Sequence, residues 1–239
     1  MNTQEILQLQ EDLRQMLFAN GVSDVGFTAL EQQDLEQMEQ DGLGVGNCRY
    51  GMSIVVRLSD AIVDEIDDAP THTYFHHYRT VNTFLDQMLL RAGMMLERNG
   101  YRYLTVAASQ SINKNGWNYK GRFSHKHLAC HCGLGTIGKS ALFLHREFGP
   151  RVRLGSLFTD CPFPQQPVTP HAVCGDCTIC RDACPAGAIL GKMWQPGMER
   201  TALFLPDKCS QHMKTAYQKI GRGAVCGICM RVCPKGKNP

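Results

Sequence analysis

The sequence has no run approaching the roughly 20 apolar residues of a membrane span, and its start, MNTQEILQLQEDL, lacks the basic-then-apolar order of a secretory signal. A membrane or exported protein is therefore not expected, and the reading is cytoplasmic. Bases are scarce early and acids scarce late. Residues 1–70 hold 14 acids and 3 bases, net −11, whereas 71–239 hold 8 acids and 22 bases, net +14. Between Glu97 and Glu147 there is no carboxylate, against eight Lys or Arg and four His. Either the two regions complement each other across one fold, or the acid-free stretch receives an anion.

β-Branched residues are also missing from SHKHLACHC, Ser124 to Cys132, and this bears on the loop that follows. GLGTIGKS, Gly133 to Ser140, satisfies both the G-x-x-x-x-G-K-S phosphate loop and the G-x-G-x-x-G dinucleotide turn. Both work only after a buried strand and at a helix start, where free N–H groups and the helix dipole meet the phosphate. Here the preceding residues read as a short helix capped by Ser124 and ended by Gly133. The following SALFLHREFGPRVRLGSLFTD reads as a hairpin turning at Glu147–Pro150. The order is the reverse of what a nucleotide loop needs, so the glycines call for another explanation.

Apolar spacing predicts a helix over 3–19, a strand in VGFTAL and a polar helix in LEQQDLEQMEQ. It predicts a buried strand in MSIVVRLS (52–59), a long helix over 80–99 and a strand in YRYLTV (101–106). This alternation predicts an α/β (α+β) domain over 1–160. The proline-rich CPFPQQPVTPH opens a linker over 161–172, and 173–239 is a cysteine-rich second domain.

What the chain does have is cysteine, twelve in all, which in a cytoplasmic protein points to metal or redox chemistry before disulfides. CGDCTICRDACP (Cys174–Pro185) is C-x2-C-x2-C-x3-C-P, the bacterial ferredoxin run, whose fourth cysteine reaches a neighbouring 4Fe–4S cluster. CGICMRVCP (Cys226–Pro234) repeats C-x2-C-x3-C-P but is one ligand short, and Cys209 is the available substitute. The two-cluster logic groups Cys174, Cys177, Cys180 and Cys233 around one cluster, and Cys184, Cys209, Cys226 and Cys229 around the other. Paired zinc sites are the alternative, although zinc has no need of the C-x3-C-P steps. Cys48, Cys130, Cys132 and Cys161 remain. HKHLACHC also holds His125, His127 and His131, of which His127 and His131 share a helix face at i, i+4, so a third metal site competes there with simple packing.

CGLGTIGKS, the LFTD that ends the expected hairpin, CGDCTICRDACPAGAI, the lone Cys209 and CGICMRVCP occur in that order. In this the chain resembles the epoxyqueuosine reductase and reductive dehalogenase superfamily over nearly its whole length. The resemblance implies a corrinoid (cobalamin) binding α/β domain followed by a ferredoxin-like domain with two 4Fe–4S clusters. Electrons would pass from a low-potential ferredoxin- or flavodoxin-type donor through both clusters to the corrinoid. The glycine loop would then serve the corrinoid domain, with Gly133, Gly135, Gly138, Lys139, Lys126 and Ser109 as candidate contacts. Lys126 and Lys139 would meet an anion.

The resemblance is also incomplete. Epoxyqueuosine reductases continue into a helical region that helps hold tRNA, whereas this chain stops six residues after Cys233. Their acid follows the strand that is YRYLTV here, where this chain reads AASQSINK. The expected substrate is thus a small, anionic molecule rather than tRNA. The expected proton donor is Tyr78, with Tyr74, Tyr119 and His125 as alternatives. Packing at the start of the long helix is the competing role for Tyr78. The other function class is a non-catalytic electron carrier or corrinoid-handling protein serving a partner.

Overall fold

The protein is described by a computed structural model that covers residues 2–40, 42–112, 116, 119–164, 173–223 and 225–236. It is a mixed α/β chain of two compact units built from interleaved segments. The first comprises 1–56, 82–134 and 153–169, and the second 57–81, 135–152 and 170–239. Contacts therefore do not divide the chain at residue 160. The cysteine-rich segment buries Ile189, Leu203, Tyr217, Ile228 and Met230. Val63, Ile66, Tyr74, Phe143 and Leu144, all buried, come from the two inserted segments. Most of the expected linker, residues 165–172, lies outside the described residues.

In the first unit, helix α1 (Thr3–Ala19) opens with a capping box. Asn2 Oδ1 accepts the Glu5 N–H, and the Glu5 carboxylate accepts the Asn2 N–H. Leu9, Leu13 and Leu17, spaced four apart, form its buried stripe against strand β1 (Asp24–Ala29). After helix α2 (Gln32–Gln40) comes strand β2 (Tyr50–Arg57), antiparallel to β1 with Phe27 opposite Met52. Helix α3 is Asp60–Asp64 and helix α4 is His72–Arg98. Helix α4 starts eight residues before the expected 80, because HTYFHHYR contains no glycine or proline to stop it. Strand β3 (Tyr103–Val106) follows Gly100, and helix α5 is His125–His131.

Strand β4 (Gly135–Ile137) pairs antiparallel with strand β5 (Phe143–His145), and strand β6 is Val152–Thr159. The sheet order is β1-β2-β6-β3. The hairpin expected between ALFLH and the 151–159 run is thus not formed. Strand β6 is buried along nearly its whole length and needs a partner on both edges, which β2 and β3 supply. Its sequence neighbour β5 folds back on the glycine loop instead.

The second unit contains α3, the start of α4, the β4–β5 hairpin and helices α6 (Ile179–Asp182), α7 (Pro206–Ala216) and α8 (Ile228–Arg231). Helices α3 and α6 both pack on α8. Arg151, 2% exposed, ties the unit together. Its guanidinium donates to Asp60 Oδ1 at 3.0 Å and Asp64 Oδ1 at 2.7 Å. Among the described residues no helix is long and apolar enough to cross a membrane.

Candidate metal centre

Two one-turn helices and the longer α7 present several of the cysteines. The Cys177 N–H donates to Cys174 O at 3.0 Å, turning the chain into α6, which carries Cys180. Helix α7, with Pro206 in its first turn, carries Cys209. Helix α8 follows Gly227 and carries Cys229, and the next turn delivers Cys233.

The thiols fall into two neighbourhoods. Cys180 is pushed up to about 11 by burial and by Cys233, Cys174 and Cys177 beside it. Cys209 is pushed up to about 11 by burial and by Cys226 and Cys184, against the pull of Arg200. Cys229 is driven up by burial, then by Cys226, Cys209 and Cys184, and also by Cys180, so the two neighbourhoods adjoin. Thiols packed this closely resist ionisation until a cationic centre neutralises them, as expected of soft-metal ligands. Backbone donors already face the sulfurs. The Ala188 N–H reaches Cys184 Sγ at 3.4 Å, and the Lys235 and Gly236 amides point at Cys233.

Sequence reasoning missed Tyr217, because a lone aromatic after α7 carries no motif. Its hydroxyl bonds Cys226, donates to Asp68 O at 3.2 Å, and lies 3.2 Å from His212 Nε2. Tyr74 is buried and its ring edge meets Gly227, at the entrance to α8. Tyr78 is half-buried, with its ring centroid 6.5 Å from that of Tyr74.

The residues of the glycine loop separate. Gly133 ends α5 in the first unit, with its N–H on Cys130 O at 2.9 Å. Gly135 lies in β4, in the second unit. A methyl group on Gly138 would stand 2.6 Å from Leu144 Cδ1 and 3.4 Å from Cys174 Sγ. Lys139, 7% exposed, donates from Nζ to Cys177 O at 3.2 Å. The loop precedes no helix, so it lacks the dipole and open amides that a nucleotide phosphate needs. Lys139, expected on an anionic cofactor beside Lys126, is turned to the cysteine loop instead.

In the first unit, the peptide after β3 is held from three sides. Asp86 Oδ1 accepts the Ala108 N–H at 2.9 Å, Arg153 donates to Ala108 O at 3.2 Å, and His125 Nε2 donates to Ala107 O at 3.1 Å. Arg153 is itself fixed by Asn82 Oδ1 at 2.8 Å. His125 Nδ1 takes the Ser156 hydroxyl at 2.8 Å. Burial holds this imidazole down at about 4, with Arg153 adding to it against the Ala107 carbonyl, so the ring is neutral near pH 7. His125 thus offers no imidazolium proton and positions the post-β3 peptide. Ser109 follows this clamp and is exposed, Lys126 is half-buried on α5, and Tyr119 is half-buried at φ 56°.

At α5, where packing competed with a third metal site, His131 pairs with Asp34 at 3.4 Å, and Cys132 is fully buried with its thiol driven up by burial. Among the described residues, the eight cysteines of the two motifs included, no group of three or more His, Cys, Asp or Glu side chains is close enough to hold a single metal ion. The Asp34 bond raises His131, against the opposing effect of burial. Burial pushes Asp34 up, but the His131 bond and charge outweigh it and lower the carboxyl. The His131 contribution is complete below its unfolded pKa of about 6.5 and is lost as pH rises through the elevated folded value. The Asp34 contribution is present above about 3.9 and is lost as pH falls through the depressed value. The pair therefore stabilises the fold on the mildly acidic side of neutrality. Because both groups are partly exposed, the expected effect is only about 0.5 kcal/mol. Urea denaturation at about pH 5.5 and about pH 8.5 should show a smaller stability difference in His131→Gln than in the native chain.

Residues 173–236 match the family of the 4Fe-4S double cluster binding domain. The chain is 44% identical over 111 residues to the epoxyqueuosine reductase of Pseudomonas aeruginosa and 34% identical over 125 residues to that of Bacillus anthracis. These alignments cover 46% and 49% of this chain but 30% of each relative, so it matches under a third of their length. In three dimensions it resembles a crystal structure of epoxyqueuosine reductase, with TM-score 0.63 and 22% identity over 97% of this chain and 66% of the other. It also resembles a reductive dehalogenase whose structure suggests a mechanism for B12-dependent dehalogenation, with TM-score 0.69 and 16% identity over 91% of this chain and 30% of the other. The chain is thus related in sequence to epoxyqueuosine reductases, shares a fold with them and with reductive dehalogenases, and carries a double 4Fe–4S domain.

Proposed function

We propose that the protein is a cytoplasmic iron–sulfur reductase that takes electrons from a low-potential ferredoxin- or flavodoxin-type donor. It passes them through two 4Fe–4S clusters to a corrinoid and reduces a small, anionic substrate. What supports this reading is the match of residues 173–236 to the 4Fe-4S double cluster binding domain, with Cys180 lying near Cys233, Cys174 and Cys177, and Cys209 near Cys226 and Cys184. In this reading Cys174, Cys177, Cys180 and Cys233 hold one cluster, and Cys184, Cys209, Cys226 and Cys229 hold the other. The donor set suits the group, since all eight ligands are thiols and amide N–H groups face several of the sulfurs.

A corrinoid, when bound, supplies a cobalt centre that accepts such electrons and cleaves carbon–oxygen or carbon–halogen bonds reductively. Lys126 and Ser109, on a stretch without carboxylates, would hold its anionic part. The clamp of Asp86, Arg153 and His125 fixes the start of the post-β3 segment, and Tyr78 gives up the proton. A small substrate, rather than tRNA, is favoured because AASQSI offers no carboxylate where the relatives' acid is expected.

Anaerobic reconstitution, metal analysis and titration with cobalamin under a low-potential reductant test this reading. About eight irons per chain with a bound, reducible corrinoid is the expected result. Eight irons without corrinoid binding would favour an electron carrier, and zinc alone would overturn the reading. Reduction of epoxyqueuosine in tRNA would overturn the small-substrate assignment. In Tyr78→Phe, turnover should fall about 10²-fold or more with unchanged iron content. Full turnover removes Tyr78 as donor.

A further inference from the structure

The structure assigns to Lys139 a role that its glycine-loop motif does not suggest: we propose that its ammonium is a fixed buried charge raising the reduction potential of the cluster held by Cys174, Cys177, Cys180 and Cys233. The inference rests on that ligand set and adds a tuning residue to it.

Three observations converge. Lys139 is 7% exposed, and a lysine is seldom so buried without a compensating charge. Among the described residues no carboxylate forms an ion pair with it. Its Nζ lies instead on the carbonyl oxygen of Cys177, at 3.2 Å. The preceding residue, Gly138, lies against the sulfur of Cys174, where an added methyl would come within 3.4 Å. The end of the glycine loop and the first two cysteines of the motif thus form one contact, inside one compact unit.

A carbonyl is a weak partner for a desolvated cation. A cluster with four thiolate ligands is net negative, and it gains one further negative charge when an electron enters. A cation fixed at its edge therefore favours the reduced state over the oxidised one, and does so strongly where water is excluded. The close approach allowed by Gly138 brings the charge to the cluster loop, which explains why a sequence resembling a phosphate loop sits at a metal centre.

The test is mediated potentiometric titration of the reconstituted full chain, read by electron paramagnetic resonance, for Lys139→Met, Lys139→Gln and Lys139→Arg. Met and Gln should keep the native iron and sulfide content. One of the two couples should shift down while the other stays. At a fixed potential the reduced-to-oxidised ratio of that cluster should fall about tenfold, equivalent to about 59 mV for a one-electron couple. Arg should restore the native value, since it keeps the charge. Unchanged couples in Met and Gln, equal shifts of both clusters, or an Arg variant that behaves like Gln would each overturn the proposal. Iron loss from all three variants would overturn it in favour of a purely structural lysine. A native chain with fewer than two cubic clusters would overturn the ligand assignment itself, before any variant is read.

Discussion

Replacement of Cys209 by alanine should leave a chain that assembles one 4Fe–4S cluster and loses the other, with iron falling from about eight to about four atoms. Cys209 lies outside both cysteine runs, yet its thiol shares a neighbourhood with Cys226 and Cys184. Helix α7 presents it from a well-formed turn, with Pro206 at the start and the Cys209 N–H on Leu205 O at 3.3 Å. A small side chain in that turn does not disturb the helix, so the damage should stay local. The set of Cys174, Cys177, Cys180 and Cys233 contains no residue from α7 and should keep its cluster. Iron and sulfide analysis with spectroscopy of the reduced protein reads the result. Two intact clusters, or none, would show that Cys209 does not complete the second set.

The second large effect is expected from Gly149→Ala. Gly149 has φ 52° and closes the bend after β5, exchanging hydrogen bonds with His145 at 2.8 and 3.0 Å. An alanine there pays for left-handed backbone, about 1–2 kcal/mol. Its methyl would also collide with the carbonyl of Lys235, a backbone atom that cannot rotate away. The turn of Lys235 directly follows Cys233, and the Gly236 N–H is bonded to Cys233 O at 3.1 Å. Relief of the clash must move this turn, and Cys233 with it. The total loss should reach about 2–4 kcal/mol, with preferential loss of iron from the Cys233 set. Gly197→Ala is the control: φ is positive there as well, at 77°, but nothing lies within 4 Å of the added methyl. It should cost only the backbone penalty of about 1–2 kcal/mol and leave the iron unchanged. Equal effects on thermal stability and iron content would mean that the Lys235 contact does not hold the turn.

The sequence by itself determined the local chemistry. Cysteine spacing marked the two motifs and pointed to Cys209 as the missing ligand, because a cluster dictates short, fixed intervals along the chain. The Leu13 and Leu17 stripe, the Ser124 start and the Gly133 stop of α5 were legible for the same reason, since each is set by residues within a turn or two. Only the tertiary structure decided which segments share a core. It placed 57–81 and 135–152 with the cysteine segment, paired β5 with β4 and inserted β6 between β2 and β3. It also turned Lys139 to Cys177, set Tyr217 on Cys226 and gathered Asp86, Arg153 and His125 around Ala107 and Ala108. Strand pairing and buried polar contacts join residues tens of positions apart. Their partners are selected by the burial of whole faces and the satisfaction of every buried donor, conditions that no local pattern encodes.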